Sequence, residues 1–187
     1  MDNACYLLEC RATGARLLVD AADDAPRLLE LCDGRLDVVV TTHGHWDHHR
    51  ALPAVVAATG ARVLVGAEDA GDLPVPADRL LRHGDVVEVG HLRLDVVALR
   101  GHTPGSVALV LRDPSGRVLA LTGDSLFPGG VGATGGDADR FRQLLDDVEA
   151  RLLAVLPDRT EVLPGHGEPT TLGAERPGVP QWRSRGW

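Results

Sequence analysis

The sequence contains no lysine; all 19 of its basic residues are arginine. That absence removes Schiff-base chemistry, a lysine general base and a P-loop, each of which needs the ε-amine. It reads as codon bias rather than as function. Cysteine is nearly as scarce: Cys5, Cys10 and Cys32 are scattered, odd in number and form no C-x-x-C pair. Neither a disulfide framework nor a thiolate metal site is on offer, and a reducing cytoplasm is expected. Cys5 and Cys32 fall among apolar neighbours and read as small core residues. No basic segment followed by an apolar one opens the chain, and no apolar run approaches the length of a membrane helix. This argues against a secretory signal and against a membrane partner. The formal net charge of −8 argues equally against nucleic acid, whose phosphates call for a basic face.

What is present is an ordinary globular composition, 44% hydrophobic and 25% charged, over 187 residues. That length suits one well-buried domain, 1–187, and is short for two. The chain is organised around Val38-Val39-Val40-Thr41-Thr42-His43-Gly44-His45-Trp46-Asp47-His48-His49. A β-branched apolar run reads as a buried strand, and it ends in imidazoles and a carboxylate. His43, His45, Asp47 and His48 fall within six consecutive residues. Side chains two apart in extended backbone point the same way. His43 and His45 can thus grip one ion, while Asp47 and His48 reach towards a second. Imidazole and carboxylate together suit zinc, iron or manganese. Ligand type, spacing and position at a strand end agree on a metal site, against a merely histidine-rich loop.

Around this stretch, Cys5 to Cys10 and Arg16 to Val19 read as a β-hairpin. Asp20 ends its second strand and reads as a turn former, with support of the metal site as the alternative. Pro26 to Cys32 predicts a helix, His48 to about Thr59 a second, and Ala61 to Val65 a strand closing a β-α-β unit. Glu68 to Leu73 predicts a short helix. From Asp85 onward, runs at 86–89, 92–99, 107–111 and 118–121 are joined by short connections, the mark of an antiparallel meander. His49, His83 and His91 read as surface histidines, His49 alternatively as support behind the ligands. Gly101-His102-Thr103-Pro104-Gly105-Ser106 and Thr122-Gly123-Asp124-Ser125 each put a ligand type at a strand end. The glycine-dense segment 127–136 is placed to wall a substrate pocket. Asp137 to Leu156 predicts an amphipathic helix whose apolar stripe runs from Phe141 to Val155. Glu161 to Gly167 is a last strand delivering His166. A short helix near Thr171 to Arg176 precedes a tail that Trp182 and Trp187 pin to the body or to a partner subunit, which leaves a homodimer open.

H-x-H-x-D-H at His43 to His48, G-H-T-P-G-S at Gly101 to Ser106, the Gly123-Asp124 pair and P-G-H-G at Pro164 to Gly167 occur in this order. Together they resemble the metallo-β-lactamase superfamily, and within it the glyoxalase II-like branch, over nearly the whole chain. The resemblance implies an α+β fold, the four-layer αβ/βα sandwich, with two divalent metal ions at its edge, zinc by preference. It implies that His43, His45 and His102 hold the first ion, that Asp47, His48 and His166 hold the second, and that Asp124 bridges them.

The same resemblance implies a dinuclear metal-dependent hydrolase. Metal-bridged hydroxide attacks the carbonyl carbon of a small acyl thioester or ester, and Asp47 orients the nucleophile and carries its proton to the leaving group. Departures from the relatives narrow this. β-Lactamases of the fold lack an aspartate at the position of Asp124, and di-iron flavoproteins carry glutamate in place of His45. The chain leaves no room for the extra arm of the nucleases. Gly132-Ala133-Thr134 lacks the arginine of the usual G-R-T, the first strand common in the family is not expected at the amino terminus, and no helical glutathione-holding region is expected after His166. The rival readings are a mononuclear iron persulfide dioxygenase using His43, His102 and Asp124, a lactonase, and a non-catalytic metal-stabilised accessory protein.

Overall fold

Alternation along each strand decides which layer its side chains enter. In the computed structural model, which describes residues 3–186, the first sheet has the order β1-β2-β3-β4-β5. Its strands are β1 (Tyr6–Glu9), β2 (Arg16–Val19), β3 (Val38–Thr41), β4 (Arg62–Gly66) and β5 (Arg79–Leu81). β1 and β2 form the expected antiparallel hairpin, and β2 to β5 are parallel. The expected meander follows as β6 (Val86–Val89), β7 (Leu92–Ala98), β8 (Val107–Arg112) and β9 (Val118–Gly123), all antiparallel. β10 (Leu126–Phe127) and β11 (Gly130–Val131) make a small hairpin inside the glycine-dense segment. β12 (Glu161–Pro164) joins the second sheet parallel to β9, and β13 (Thr170–Thr171) closes its edge.

Between the sheets lie Leu17, Val19, Val38, Val40 and Leu64 from one side and Leu94, Val96, Leu109 and Leu121 from the other. Their strand neighbours Leu18, Val39 and Val63 point the opposite way, onto Leu28 of α1 (Ala25–Leu31) and Leu52 and Val55 of α2 (Leu52–Thr59). On the far side, Ala108, Val110, Ala120 and Val162 meet Phe141, Leu144 and Leu145 of α3 (Ala138–Val148). A short α4 (Leu172–Glu175) leads to α5 (Val179–Arg185), which adds Trp182 to the same layer. Helix, sheet, sheet and helix thus stack as the αβ/βα sandwich. Burial on both faces is why β3 and β8 read as unbroken apolar runs. Each fully buried leucine contributes about 1.5–3 kcal/mol.

Several boundaries differ from the sequence expectation. The helix expected from His48 is a 3₁₀ turn over Trp46–His48, and α2 begins only at Leu52, with Pro53 in its first turn. The long C-terminal helix is regular to Val148 and then widens to a π turn over Glu149–Leu153. The extra residue per turn carries Val155 off the apolar stripe to 65% exposure. β5, after Pro74 and Pro76, carries no strong periodic signal. Trp182 is buried against its own chain, and Trp187 lies outside the described residues. His83 and His91 are exposed. Among the described residues no helix is long and apolar enough to cross a membrane.

The two sheets are stitched together at one edge. Val107 N donates to Thr42 O at 2.9 Å. Gly123, at φ 50°, lies flat on Thr42, where a Cβ would come 2.5 Å from Oγ1. At the end of β4, Gly66 packs on the 101–106 loop so closely that a Cβ would lie 1.8 Å from the Gly105 carbonyl oxygen. Backbone cannot yield there as a side-chain tip can. Gly66→Ala is therefore expected to lose about 3 kcal/mol or more in urea denaturation. Gly71→Ala, where a Cβ meets nothing within 4 Å, is expected to stay within about 0.5 kcal/mol.

Candidate metal centre

All seven side chains singled out from the sequence converge at this edge. β3 delivers His43 through Thr42, the following 3₁₀ turn carries Asp47 and His48, β9 ends just before Asp124 and β12 leads to His166. His102 comes from the loop between β7 and β8. Three overlapping groups have ligand atoms within 4.8 Å of one another: His43, His45 and His102; His43, His48 and Asp124; and Asp47, His48 and His166. In the first, His45 Nδ1 lies 3.2 Å from His43 Nε2 and 2.9 Å from His102 Nε2. In the last, His48 Nε2 lies 3.2 Å from His166 Nε2, which is 3.4 Å from Asp47 Oδ2. Asp124 stands between them, with Oδ1 3.4 Å from His48 Nε2 and Oδ2 3.6 Å from His102 Nε2 and 3.5 Å from His166 Nε2.

Two of the rings are fixed from behind. His102 Nδ1 donates to the Ala133 carbonyl at 2.7 Å, which leaves the Nε2 lone pair facing the cluster. His48 Nδ1 lies 2.8 Å from Asp20 Oδ2. Asp20 also accepts from Thr42 N at 2.7 Å and Thr42 Oγ1 at 2.8 Å. Asp20 is thus no mere turn former: it is 2% exposed, sits at φ 60° and orients both the β3 end and His48. Lone pairs aimed at one another need a shared proton or a cation, and Asp124 Oδ1 is buried without any hydrogen bond. The donor set therefore fits divalent metal ions.

Electrostatics agree with the geometry. Burial, reinforced by the surrounding imidazoles His48, His102, His45 and His166, pushes His43 well below the ordinary histidine value. Burial also lowers His102. Burial opposes charge on His48 too, but Asp124 and Asp20 outweigh it and push its pKa up to about 10. Burial works against ionised Asp47, yet the Asn3 amide and His48 hold its carboxyl below the usual carboxylate range.

Other residues complete the site without a sequence signal. Asn3 Nδ2 donates to Asp47 Oδ2 at 3.1 Å and lies 3.3 Å from His166 Nε2. Asp69, inside the segment expected as a short helix, is fully buried. It accepts from Gly44 N at 2.8 Å, Thr103 Oγ1 at 2.5 Å and Gly105 N at 2.6 Å, tying the first histidine loop to the loop of His102. Only a buried setting marks such an aspartate, and sequence spacing does not reveal it. His49 is buried rather than on the surface, with Nε2 3.2 Å from Gly44 O. The glycine-dense segment supplies Ala133 to His102 and walls a neighbouring cavity of about 560 Å³ with Phe127, Val131, Thr134 and Arg185.

A family model described as the metallo-beta-lactamase superfamily matches residues 2–166. Hydroxyacylglutathione hydrolase of Fuscovulum blasticum is 41% identical over 169 residues, covering 88% of this chain and 62% of that one. The chain thus spans about 62% of the length of the curated relatives it matches. Among solved structures, ETHE1 from Myxococcus xanthus superposes with a TM-score of 0.82 at 32% identity, over 98% of this chain and 80% of that one. TTHA1623 in a di-iron-bound form gives 0.75 at 32% identity, over 93% and 92%.

Removing Asp69 would take away the acceptor shared by Gly44 N, Thr103 Oγ1 and the buried Gly105 N. Asp69→Ala is expected to destabilise the protein by about 3 kcal/mol or more, measured as a lower urea midpoint at unchanged slope.

Proposed function

The chain belongs to the metallo-β-lactamase superfamily, and we propose that it is a dinuclear, metal-dependent hydrolase of small acyl thioesters or esters. The observation that carries this reading is Asp124, a carboxylate with a buried, unbonded oxygen standing between two histidine-rich groups. In this reading His43, His45 and His102 would hold one ion and Asp47, His48 and His166 the other, with Asp124 within reach of both groups. Zinc is the preferred metal, as borderline nitrogen and oxygen ligands allow. Divalent ions bound there supply a water of pKa about 7 and polarise the substrate carbonyl.

The chain's own residues do the rest. Asp47, kept ionised by Asn3 and His48, orients the attacking water and carries its proton to the leaving group. A thiolate leaving group needs little protonation, which suits a site offering no separate general acid. Ala133 and Asp20 hold His102 and His48 with their Nε2 atoms turned inward. The cavity walled by Phe127, Val131 and Arg185 is the place for the rest of the acyl substrate. Residues 1–187 are read as one domain, and the three unpaired cysteines fit a cytoplasmic protein.

Elemental analysis of the purified protein is expected to give two equivalents of metal per chain, mostly zinc, and chelation to abolish thioester turnover. His102→Ala is expected to lose about one equivalent and about a hundredfold or more in kcat/KM, the scale of losing one preorganised electrostatic group. A single equivalent of iron, with oxygen consumed on a persulfide, would overturn the hydrolase in favour of a dioxygenase.

Metal uptake carries its own pH signature. In the metal-free protein His48 holds a proton up to about pH 10, and a metal ion must displace it. Affinity at the Asp47, His48 and His166 group is therefore expected to rise about tenfold per pH unit above neutrality and to level off near pH 10. Calorimetry in buffers of different ionisation enthalpy is expected to show the released proton.

A further inference from the structure

We propose that Arg140 is a positioning residue for His102, through which helix α3 sets the direction of that imidazole. The inference rests on the metal-centre reading above. Three consecutive residues, Arg100, Gly101 and His102, are strapped along one face of α3. Arg100 is held at Asp147, whose Oδ2 accepts from its backbone N at 3.0 Å and its Nε at 2.9 Å, and whose Oδ1 accepts from Nη2 at 3.0 Å. Gly101, at φ 139°, lies directly on the helix: a Cβ would come 2.4 Å from Arg140 O and 2.6 Å from Leu144 Cβ. Arg140 then spans the next two residues, its Nε donating to Gly101 O at 2.8 Å and its Nη2 to His102 O. Positions 140, 144 and 147 share one helix face at the α-helical repeat.

The imidazole refers to the same helix end. Its Nδ1 donates to Ala133 O, and Ala133 precedes Thr134, whose Oγ1 donates to Asp137 O at 3.3 Å. Asp137 caps α3 by accepting from Asp139 N and Arg140 N at 2.9 and 3.0 Å. Backbone and ring of His102 are therefore both anchored to the first turns of α3. A planar guanidinium can satisfy two adjacent carbonyls at once, which a single ammonium cannot do in the same geometry. Without it, the Gly101 and His102 carbonyls turn to water, and the ring loses one of its two anchors.

The test uses Arg140→Ala, Arg140→Lys and, as control, Arg142→Ala. Arg142 lies exposed on the same helix, paired with Asp139 at 2.6 Å. Zinc titration against a chelator is expected to show one of two equivalents weakened by about tenfold or more in Arg140→Ala, the scale seen when a group behind a ligand is lost. The other equivalent is expected to stay within about twofold. Arg140→Lys is expected to fall between, millimolar guanidinium to restore part of the loss in Arg140→Ala, and Arg142→Ala to match the parent. In metal-free protein labelled at histidine nitrogen, the Nδ1–H of His102 is expected to exchange with water faster in Arg140→Ala. Parent-like zinc affinities and parent-like imidazole exchange in Arg140→Ala would overturn the proposal while leaving the hydrolase reading intact. Should Arg140→Ala fail to fold, Arg140→Lys decides, and its equality with the parent on both readouts overturns the proposal. Should the parent take up no zinc, the hydrolase reading falls, and unchanged imidazole exchange alone then overturns the role of Arg140.

Discussion

Electron pairs aimed at a common point repel, and this repulsion is the constraint the fold is built to withstand. His43, His45, His48, His102 and His166 have ring nitrogens as close as 2.9–3.2 Å, with two carboxylates among them. Left to solvent, such side chains would swing apart. They stay together because neighbours hold them from behind: Ala133 takes the outer proton of His102, Asp20 holds His48, and Asn3 bonds Asp47. Support of this kind fits a site that receives cations.

Layering makes that convergence possible. Parallel pairing of β9 with β12 brings their C-terminal ends, and so Asp124 and His166, to one side. β3 in the other sheet ends at the same edge, where Thr42 meets both Val107 and Gly123. Large apolar clusters on both faces of each sheet keep the two layers in fixed relation. The loop that carries His102 is tied to α3 through Arg140, at Gly101 O and His102 O, and to Asp69 through Thr103 and Gly105. The candidate metal centre thus rests on the sandwich behind it.

The relatives place this architecture in the metallo-β-lactamase superfamily and show how it is shared across proteins that differ in length. The match to the hydroxyacylglutathione hydrolase of Fuscovulum blasticum covers 62% of that protein. Residues 2–166, which the family model matches, contain every candidate ligand, and α5 beyond them packs Trp182 into the same apolar layer as α3.

The candidate ligands were legible in the linear sequence because local spacing carries them: H-x-H-x-D-H needs only a strand end and a tight turn to bring four donors together. The apolar runs of β3, β8 and β9 likewise announced buried strands, since their side chains alone decide burial. Asp20 was visible but ambiguous, and its role emerged only when His48 and Thr42 were found against it. Asn3, Asp69, Arg140 and the Ala133 carbonyl could not be read at all. Their partners lie tens of residues away, and nothing in a residue's own neighbourhood records which distant donor it will meet. Sequence by itself determined the ligand chemistry and the layers, through short-range pattern and hydrophobicity. Tertiary structure alone decided which groups hold those ligands in place, because long-range hydrogen bonding is settled by packing.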